Sequence, residues 1–269
     1  MESGTFAQIA KVALAVAVGL PLVVYLMQDA LVFHRQPLPD ARRADIARRF
    51  PSVQEVFLPA KDGTRIQAWH VKARAPLVIY FGGNGEETSW MLEELRQAPG
   101  VSWLVTSYRG YGLSEGSPSE AALVADATQW YDHALTLPGV DPKRVYVFGR
   151  SLGTGVATAL ASQRPLAGVI LSTPYDSLGA VARHHYGFIA VEALLKHRFD
   201  SLAKAPALRQ PLLCFIAERD EVIPPVHAER LYAAWGGVKQ KLILAGAGHN
   251  TTDDDPAFWP AIRKFLGIS

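Results

Sequence analysis

The residues best suited to chemistry lie in the pentapeptide Gly149–Gly153, which reads G-R-S-L-G and fits the pattern G-x-S-x-G. It follows the apolar run Arg144–Phe148 and opens a stretch of helical character. A serine on so tight a strand-to-helix turn takes a strained backbone conformation that exposes its Oγ, while the helix N-terminus directs N–H groups at the reacting centre. A plain glycine-rich turn is the alternative. The context favours the first interpretation and predicts Ser151 as a nucleophile.

A nucleophilic serine needs a base, and the chain contains eight histidines. His249 is the best placed, because it lies directly after the last predicted strand in the loop G-A-G-H-N. His227 falls in a predicted helix and His70 in a predicted strand, where structural roles are expected. His184 and His185 fall in a crossover connection from which they could contact a substrate. The sequence therefore predicts His249 as the general base.

The acid that orients the histidine is expected between the two in chain order, because hydrolases built on this turn run Ser, acid, His. Asp220 follows the run Leu212–Ile216 at a strand-to-loop position. Glu218 and Glu221 from the same turn are alternatives, as is Asp176 after the preceding strand. The position favours Asp220, which would fix the tautomer of the histidine and stabilise its imidazolium.

Two backbone amides are expected to bind the oxyanion of the tetrahedral intermediate. One belongs to Leu152, and the other to Asn84 or Gly85 in the loop 81–86, which reads F-G-G-N-G-E. The same loop could cradle a phosphate, but no Lys-Ser or Lys-Thr follows it, which argues against a P-loop. This mechanism needs no metal or organic cofactor, and the single cysteine, Cys214, excludes an intramolecular disulfide and a Cys-based zinc site.

The elements that position these residues alternate between strands and helices. The stretches Val53–Leu58 and Arg65–Val71 flank K-D-G and predict an antiparallel hairpin. Six apolar runs then alternate with helical stretches, which indicates a mostly parallel sheet with helices on both faces and the hairpin as its antiparallel edge. The runs are Leu77–Phe81, Trp103–Thr106, Val145–Phe148, Gly168–Leu171, Leu212–Ile216 and Leu242–Leu244, and the helices lie near 86–97, 119–135, 152–163, 225–235 and 256–266.

The segment Pro174–Pro206 interrupts this alternation and is rich in aromatic residues and histidines. It is interpreted either as a helical excursion over the site or as ordinary packing of a crossover helix. As a short helical cap, it would bring Tyr175 and Tyr186 to the substrate, and these two are the predicted substrate-binding residues.

The N-terminus is predicted to be an uncleaved membrane anchor. Val12–Met27 carries no charge, and Phe6–Ile9 extends it past Lys11 to about 22 residues, enough to cross ~30 Å of hydrocarbon. A cleaved signal peptide and a buried core helix are the alternatives. The predicted organisation is an anchor at residues 1–30, a basic juxtamembrane segment at 31–50 and a catalytic domain at 51–269.

Charge indicates how such an anchor would be oriented. Five arginines follow the span between residues 35 and 49, so the positive-inside rule places the catalytic domain in the cytoplasm. The four arginines at 42–49 form either a solvated helix face or a contact with anionic lipid headgroups. A net charge of +2 gives no indication of nucleic-acid binding, and 49% hydrophobic residues exclude wholesale disorder.

Seven short motifs follow the apolar stretch in a fixed order. They are Q-D-A-L-V-F at 28–33, D-G at 62–63, G-N-G at 83–85, Y-R-G-Y-G-L-S at 108–114, F-D-S at 199–201, D-E-V-I-P at 220–224 and G-H at 248–249. In this order they resemble the membrane-anchored α/β-hydrolases of the BEM/ABHD type over essentially the whole chain. The resemblance implies an α/β-hydrolase fold with an eight-stranded sheet, and an activity among esterases, thioesterases and protein depalmitoylases.

Two positions depart from that resemblance. The similar proteins usually carry His-Gly-Asn where this chain has Gly82-Gly83-Asn84, which leaves the oxyanion geometry open. They also carry an Asp where this chain has Ser107, which removes a structural carboxylate rather than a catalytic group.

Together these observations predict a serine hydrolase that cleaves carboxylic esters or thioesters through an acyl-enzyme. An anchored domain with an aromatic-rich crossover favours apolar acyl substrates, either lipid esters or S-acylated proteins. A serine peptidase of the aminopeptidase type and a non-catalytic membrane-anchored scaffold are the alternatives. The sequence does not indicate an oligomeric state.

Overall fold

A computed structural model describes residues 22–23, 25–187 and 195–268, together with the isolated residues 8, 11 and 19. The strands of this part form one eight-stranded sheet in the order β1-β2-β4-β3-β5-β6-β7-β8. They are β1 (Val53–Pro59), β2 (Arg65–Val71), β3 (Arg74–Phe81), β4 (Val101–Ser107), β5 (Val145–Arg150), β6 (Gly168–Ser172), β7 (Leu212–Ala217) and β8 (Lys239–Leu244).

Helices connect these strands and cover both faces of the sheet. They are α1 (Asp40–Arg49), α2 (Met91–Glu94), α3 (Glu120–Ala134), α4 (Leu152–Ala161), α5 (Leu178–His185), α6 (Pro225–Ala234) and α7 (Phe258–Leu266). Ser119 caps α3 by accepting a hydrogen bond from the Ala122 N–H, and Ser177 caps α5 in the same way. The helix predicted near 86–97 is broken into the single turn α2 between two short 3₁₀ turns.

The pairing of the strands confirms a mostly parallel sheet with an antiparallel edge. The hairpin β1–β2 is antiparallel, and β2 pairs antiparallel with β4. Every other neighbouring pair is parallel. Because the carboxyl ends of parallel strands meet at one edge of a sheet, the loops that follow β3, β5, β7 and β8 come together there.

Alternate side chains of the strands build a core on each face of the sheet. On one face Ile79 and Val147 pack with Val156 of α4 and Trp130 of α3. On the other, Tyr80, Trp103 and Phe148 pack with Phe258 and Trp259 of α7. Burial on both faces explains why the strands read as continuous apolar runs rather than as an alternating pattern.

The predicted anchor falls mostly outside the described residues and stays a prediction. In the part of the chain that the structure does describe, no helix is long and apolar enough to cross a membrane. Residues 25–32 are helical, and Leu26, Met27 and Leu31 each expose more than half of their surface.

The end of this helix and the segment that follows it pack onto the sheet domain. Phe33 belongs to the core and is 3% exposed. Gln28 accepts a 2.6 Å hydrogen bond from the Lys196 N–H, and the backbone of residues 36–38 pairs with Gly112 at 2.8 and 3.0 Å. Residues from 28 onward therefore contribute to the domain, whose predicted start was residue 51.

The four arginines at 42–49 all lie on α1, and each of them pairs with a carboxylate. Arg43 forms two hydrogen bonds with Glu55, at 2.8 and 2.6 Å. The other three pair with Asp45, and two of those also pair with Glu93. This pairing favours the helix-face interpretation of the arginines over contact with lipid headgroups.

Candidate active site

Ser151 occupies the turn between β5 and α4 with φ 49° and ψ −118°. A side chain at Gly149 would overlap the Gly153 carbonyl, and one at Gly153 would overlap the Phe81 carbonyl. Strand and helix therefore approach each other at a distance that only glycine permits. The Ser151 N–H donates to the Ser172 carbonyl at 3.0 Å, which fixes the turn and leaves Oγ free to project from the sheet edge.

The structure brings Ser151, His249 and Asp220 into one hydrogen-bonded row. The His249 Nε2 lies 2.9 Å from the Ser151 Oγ, and its Nδ1 lies 2.8 Å from the Asp220 Oδ2. The neutral tautomer that fits both contacts carries its proton on Nδ1 and accepts from the serine hydroxyl on Nε2. In this tautomer His249 is arranged to accept the serine proton.

Asp220 is held by the backbone of its own loop. Its Oδ1 accepts hydrogen bonds from the Val222 and Ile223 N–H groups at 2.9 and 2.7 Å, which leaves Oδ2 for the histidine. The rival acids lie elsewhere: Glu218 accepts from the Gly246 N–H, and Asp176 pairs with His227 at 2.8 Å. The row thus uses the acid that strand position had favoured.

A cleft of about 830 Å³ opens over Ser151. Trp90 and Val222 supply its large apolar walls, and Arg150 and Asp253 supply charge. The Arg150 guanidinium lies 5.2 Å from the centre of the Trp90 ring and 3.8 Å from the Asp253 carboxylate. Among the described residues no group of His, Cys, Asp or Glu side chains could hold a metal ion.

The predicted oxyanion donors differ in what their amides contact. The Gly85 N–H faces the phenol oxygen of Tyr111. The Asn84 and Leu152 N–H groups donate to no other group among the described residues, and Leu152, as the first residue of α4, has no acceptor within its helix. The geometry therefore favours the Asn84 and Leu152 amides over that of Gly85.

The loop that carries Asn84 is fixed by side chains that sequence reasoning missed. The Asn84 Oδ1 accepts from the His34 N–H at 2.8 Å and from the Tyr111 hydroxyl at 3.1 Å. The Tyr108 hydroxyl donates to the Gly82 carbonyl at 2.8 Å. Burial raises the pKa of Tyr111 to about 12, although the Gly85 N–H opposes the shift, so Tyr111 remains a donor.

Arg109 explains why D-G at 62–63 and the motif at 108–114 occur together. Its guanidinium pairs with both oxygens of Asp126 at 2.7 and 2.8 Å and also contacts Asp62. This buried ion pair anchors the loop that presents Tyr108 to Gly82 and Tyr111 to Asn84. The sequence indicates this motif only through the resemblance to known hydrolases, and its structural role follows from the contacts of Arg109.

Tyr175, predicted to bind substrate, is instead fully buried. Its hydroxyl donates to the Leu152 carbonyl at 3.1 Å, and a side chain at Gly155 would overlap that hydroxyl. Burial raises the pKa of Tyr175 well above its usual value. The Tyr175 side chain packs under α4 and points into the core. It therefore supports the turn that carries Ser151.

The crossover segment flanks the cleft without bringing Tyr186 into it. Tyr186 follows α5, is 56% exposed and does not line the cleft. His185 instead contacts the Val222 carbonyl through Nε2 at 3.0 Å, and Val222 is a wall of the cleft. The described part of the crossover therefore lies beside the Asp220 loop, and residues 188–194 fall outside the described residues.

Ser107, where the similar proteins carry an Asp, is buried in a polar network. Its Oγ donates to the Gln67 Oε1 at 2.8 Å and lies 3.3 Å from the Thr88 Oγ1. A Cβ at Gly112 would come within 2.9 Å of the Ser107 Cβ. Ser107 thus fills a close-packed position and does not line the cleft over Ser151.

Comparison with known proteins identifies relatives along most of the chain. The chain is 34% identical over 262 residues to the uncharacterized protein Rv2307c of Mycobacterium tuberculosis, covering 93% of this chain and 91% of the relative. It is 30% identical to the uncharacterized membrane protein YNL320W of Saccharomyces cerevisiae, covering 79% of each. It is 29% identical to the α/β-hydrolase domain-containing protein WAV2 of Arabidopsis thaliana, covering 67% of this chain and 66% of the relative.

The fold has clear counterparts among solved structures. The acetyl xylan esterase of Paenibacillus sp. R4 superposes with a TM-score of 0.67 at 19% identity, covering 81% of this chain and 85% of the esterase. No established family profile matches the chain. The sheet and the turn at Ser151 nevertheless agree with these structures, and the chain has the α/β-hydrolase fold.

Proposed function

We propose that the protein is a serine hydrolase that cleaves carboxylic esters or thioesters through an acyl-enzyme. The observation that carries this proposal is the row Ser151–His249–Asp220, with distances of 2.9 and 2.8 Å, beside two amides that make no other contact in the described part. Nucleophile, base, orienting acid and oxyanion donors are the complete set that acyl transfer by a serine requires.

In the first step the Ser151 Oγ attacks the substrate carbonyl while His249 accepts its proton. Asp220 stabilises the imidazolium, and the Asn84 and Leu152 N–H groups stabilise the oxyanion. His249 then protonates the leaving oxygen or sulfur as its bond to the carbonyl carbon breaks. The acyl group stays on Ser151 as an ester.

In the second step His249 takes a proton from a water molecule, whose oxygen attacks the acyl ester. The new tetrahedral intermediate collapses to a carboxylic acid as its bond to the Ser151 Oγ breaks, and His249 returns the proton to that oxygen. A positioned base typically contributes 10²–10⁴-fold to such a reaction, and each oxyanion donor contributes about 10²–10³-fold.

For the acyl group we retain an apolar chain as the proposal. Trp90 and Val222 support it, and a membrane anchor would place the site near lipid esters or S-acylated proteins. A p-nitrophenyl ester series from acetate to dodecanoate tests it, with the highest kcat/KM expected at eight carbons or more. A preference for acetate over octanoate would contradict the apolar-chain proposal and leave the hydrolase proposal standing.

Covalent labelling tests the reaction class directly. A fluorophosphonate probe should label the full chain at Ser151, and Ser151→Ala should lose both labelling and ester turnover. His249→Ala should label at a rate lower by about 10²–10⁴-fold, because the hydroxyl then lacks its base. Thermal unfolding of the three proteins checks that the variants are folded.

The labelling result separates two conclusions. Labelling of the wild type that disappears in Ser151→Ala establishes an activated serine at this position. A folded wild type that neither labels nor hydrolyses any ester of the series would contradict the proposal and favour the scaffold interpretation.

A further inference from the structure

A carboxylate fills the space where a side chain at residue 82 would lie. A Cβ at Gly82 would come within 2.8 Å of the Glu86 Oε1 and 2.7 Å of the Thr88 Cγ2. Position 82 is where the resembling hydrolases usually carry histidine. In this chain the same volume is occupied by Glu86, which reaches back from four residues further along the loop.

Glu86 contacts the loop backbone after Gly82 and the side chain of Tyr80 in β3. Its Oε2 accepts the Gly83 N–H at 2.7 Å, and its Oε1 accepts the Tyr80 hydroxyl at 2.7 Å. Burial raises the pKa of Glu86, whereas the charge of Arg150 and these two hydrogen bonds act to lower it. Hydrogen-bond donors thus converge on this carboxylate from β3 and from the loop itself.

The residue that Glu86 holds lies beside Ser151. A Cβ at Gly83 would lie 3.4 Å from the Ser151 Cβ, so the Gly83 backbone forms the wall beside the attacking hydroxyl. Movement of Gly83 would therefore move the next amide, that of Asn84, relative to the forming oxyanion.

The three amides of this loop are divided between structure and substrate. The Gly83 N–H is used by Glu86, and the Gly85 N–H faces Tyr111. The Asn84 N–H donates to nothing else within the described residues. Of the Gly83, Asn84 and Gly85 amides, that of Asn84 therefore remains for a ligand.

We infer that Glu86 is a positioning residue for the oxyanion site: its carboxylate accepts the Gly83 N–H, fills the side-chain space of Gly82, and thereby directs the Asn84 N–H toward the oxyanion. This inference rests on the proposed hydrolase function. Glu86 does not touch the reacting atoms, so it acts through the position of the loop.

Two variants of similar length separate the hydrogen bond from the volume. Glu86→Gln keeps an oxygen that can accept the Gly83 N–H, whereas Glu86→Met fills the space without an acceptor. We expect Met to lower kcat by about 10²-fold, which is the scale of losing one oxyanion donor, with KM changed less than threefold. We expect Gln to retain kcat within about fivefold.

A second readout reports the oxyanion site without turnover. A trifluoromethyl ketone adds to the serine and places an oxyanion in the same site, so its inhibition constant should rise for Met in parallel with the loss of kcat. Glu93→Gln is the matched control, because Glu93 pairs with Arg42 and Arg49 of α1 and does not line the cleft. It should leave kcat and the inhibition constant unchanged.

The outcomes are distinguishable from failure of the proposed function. A wild type that hydrolyses esters alongside an unimpaired Met variant overturns the Glu86 inference alone, as does a Gln variant as impaired as Met. If Met does not fold, Tyr80→Phe serves instead, because it removes one bond to the carboxylate. It should lower kcat severalfold at constant KM, and an unchanged kcat would overturn the inference. A wild type inactive on every ester contradicts the proposed function itself.

Discussion

Within the described residues two histidines contact an aspartate through Nδ1, and only one of them reaches a serine. His249 and Asp220 are 2.8 Å apart, as are His227 and Asp176. In the first pair Nε2 contacts the Ser151 Oγ at the floor of the cleft. In the second, Nε2 is buried and has no hydrogen-bond partner among the described residues.

The comparison shows that the pair alone does not make a base. A histidine oriented by a carboxylate is useful to chemistry only where its other nitrogen meets a nucleophile and a substrate. His227 lies at 1% exposure with the His184 ring against it, at 5.6 Å between ring centres. We therefore propose that His227 and Asp176 serve the stability of the domain and that His249 and Asp220 serve its reaction.

Removing the acid of the first pair should have the largest effect. Asp220→Ala is expected to lower kcat by about 10⁴-fold, because His249 loses the group that fixes its tautomer and stabilises its charge. Steady-state ester hydrolysis measures this, with circular dichroism to establish the folded fraction. A kcat within tenfold of the wild type would assign the orienting role to another acid.

Removing the acid of the second pair should act on stability instead. Asp176→Ala leaves the buried His227 Nδ1 without an acceptor, which costs about 2 kcal/mol of unfolding free energy. Denaturant titration measures the loss, and kcat per folded molecule should stay within twofold of the wild type. A collapse of kcat in a fully folded Asp176→Ala protein would show that the two pairs are coupled and that the division between them is wrong.

The sequence could distinguish these pairs only through topology. Asp176 and Asp220 both follow strands, and nothing in either short stretch shows which histidine each will meet. Asp220 was favoured by its position in chain order, and the structure places it 2.8 Å from His249. Ser151 was easier to predict, because the turn that strains it is built from glycines within two residues on either side.

The contacts that fix the loop 81–86 could not be predicted from the sequence. Its fixing contacts come from His34, Tyr108 and Tyr111, which lie between 26 and 50 residues from the groups they bind. Glu86 is closer but gave no signal, because a carboxylate in a loop reads as a surface residue. The prediction for Tyr175 failed for a different reason. The sequence shows an aromatic residue after a strand, but only the packing decides whether that residue faces the cleft or the core.

The parallel sheet, its antiparallel hairpin and the strand positions were predictable because burial imposes them directly. Strands buried on both faces produce continuous apolar runs, and helices between them produce the parallel crossover. The path of the crossover at 174–206 was not predictable, because its short helix is held by contacts such as His185 to the Val222 carbonyl rather than by a local pattern.

The docking of residues 28–38 has a practical consequence for anyone preparing this enzyme. A recombinant form that begins at residue 51 would lack Phe33 from the core and His34 from the wall of the cleft. It would also lack the N–H group that fixes the Asn84 side chain. Inactivity of such a shortened protein would reflect a missing piece of the site, so solubilising deletions should stop before Gln28.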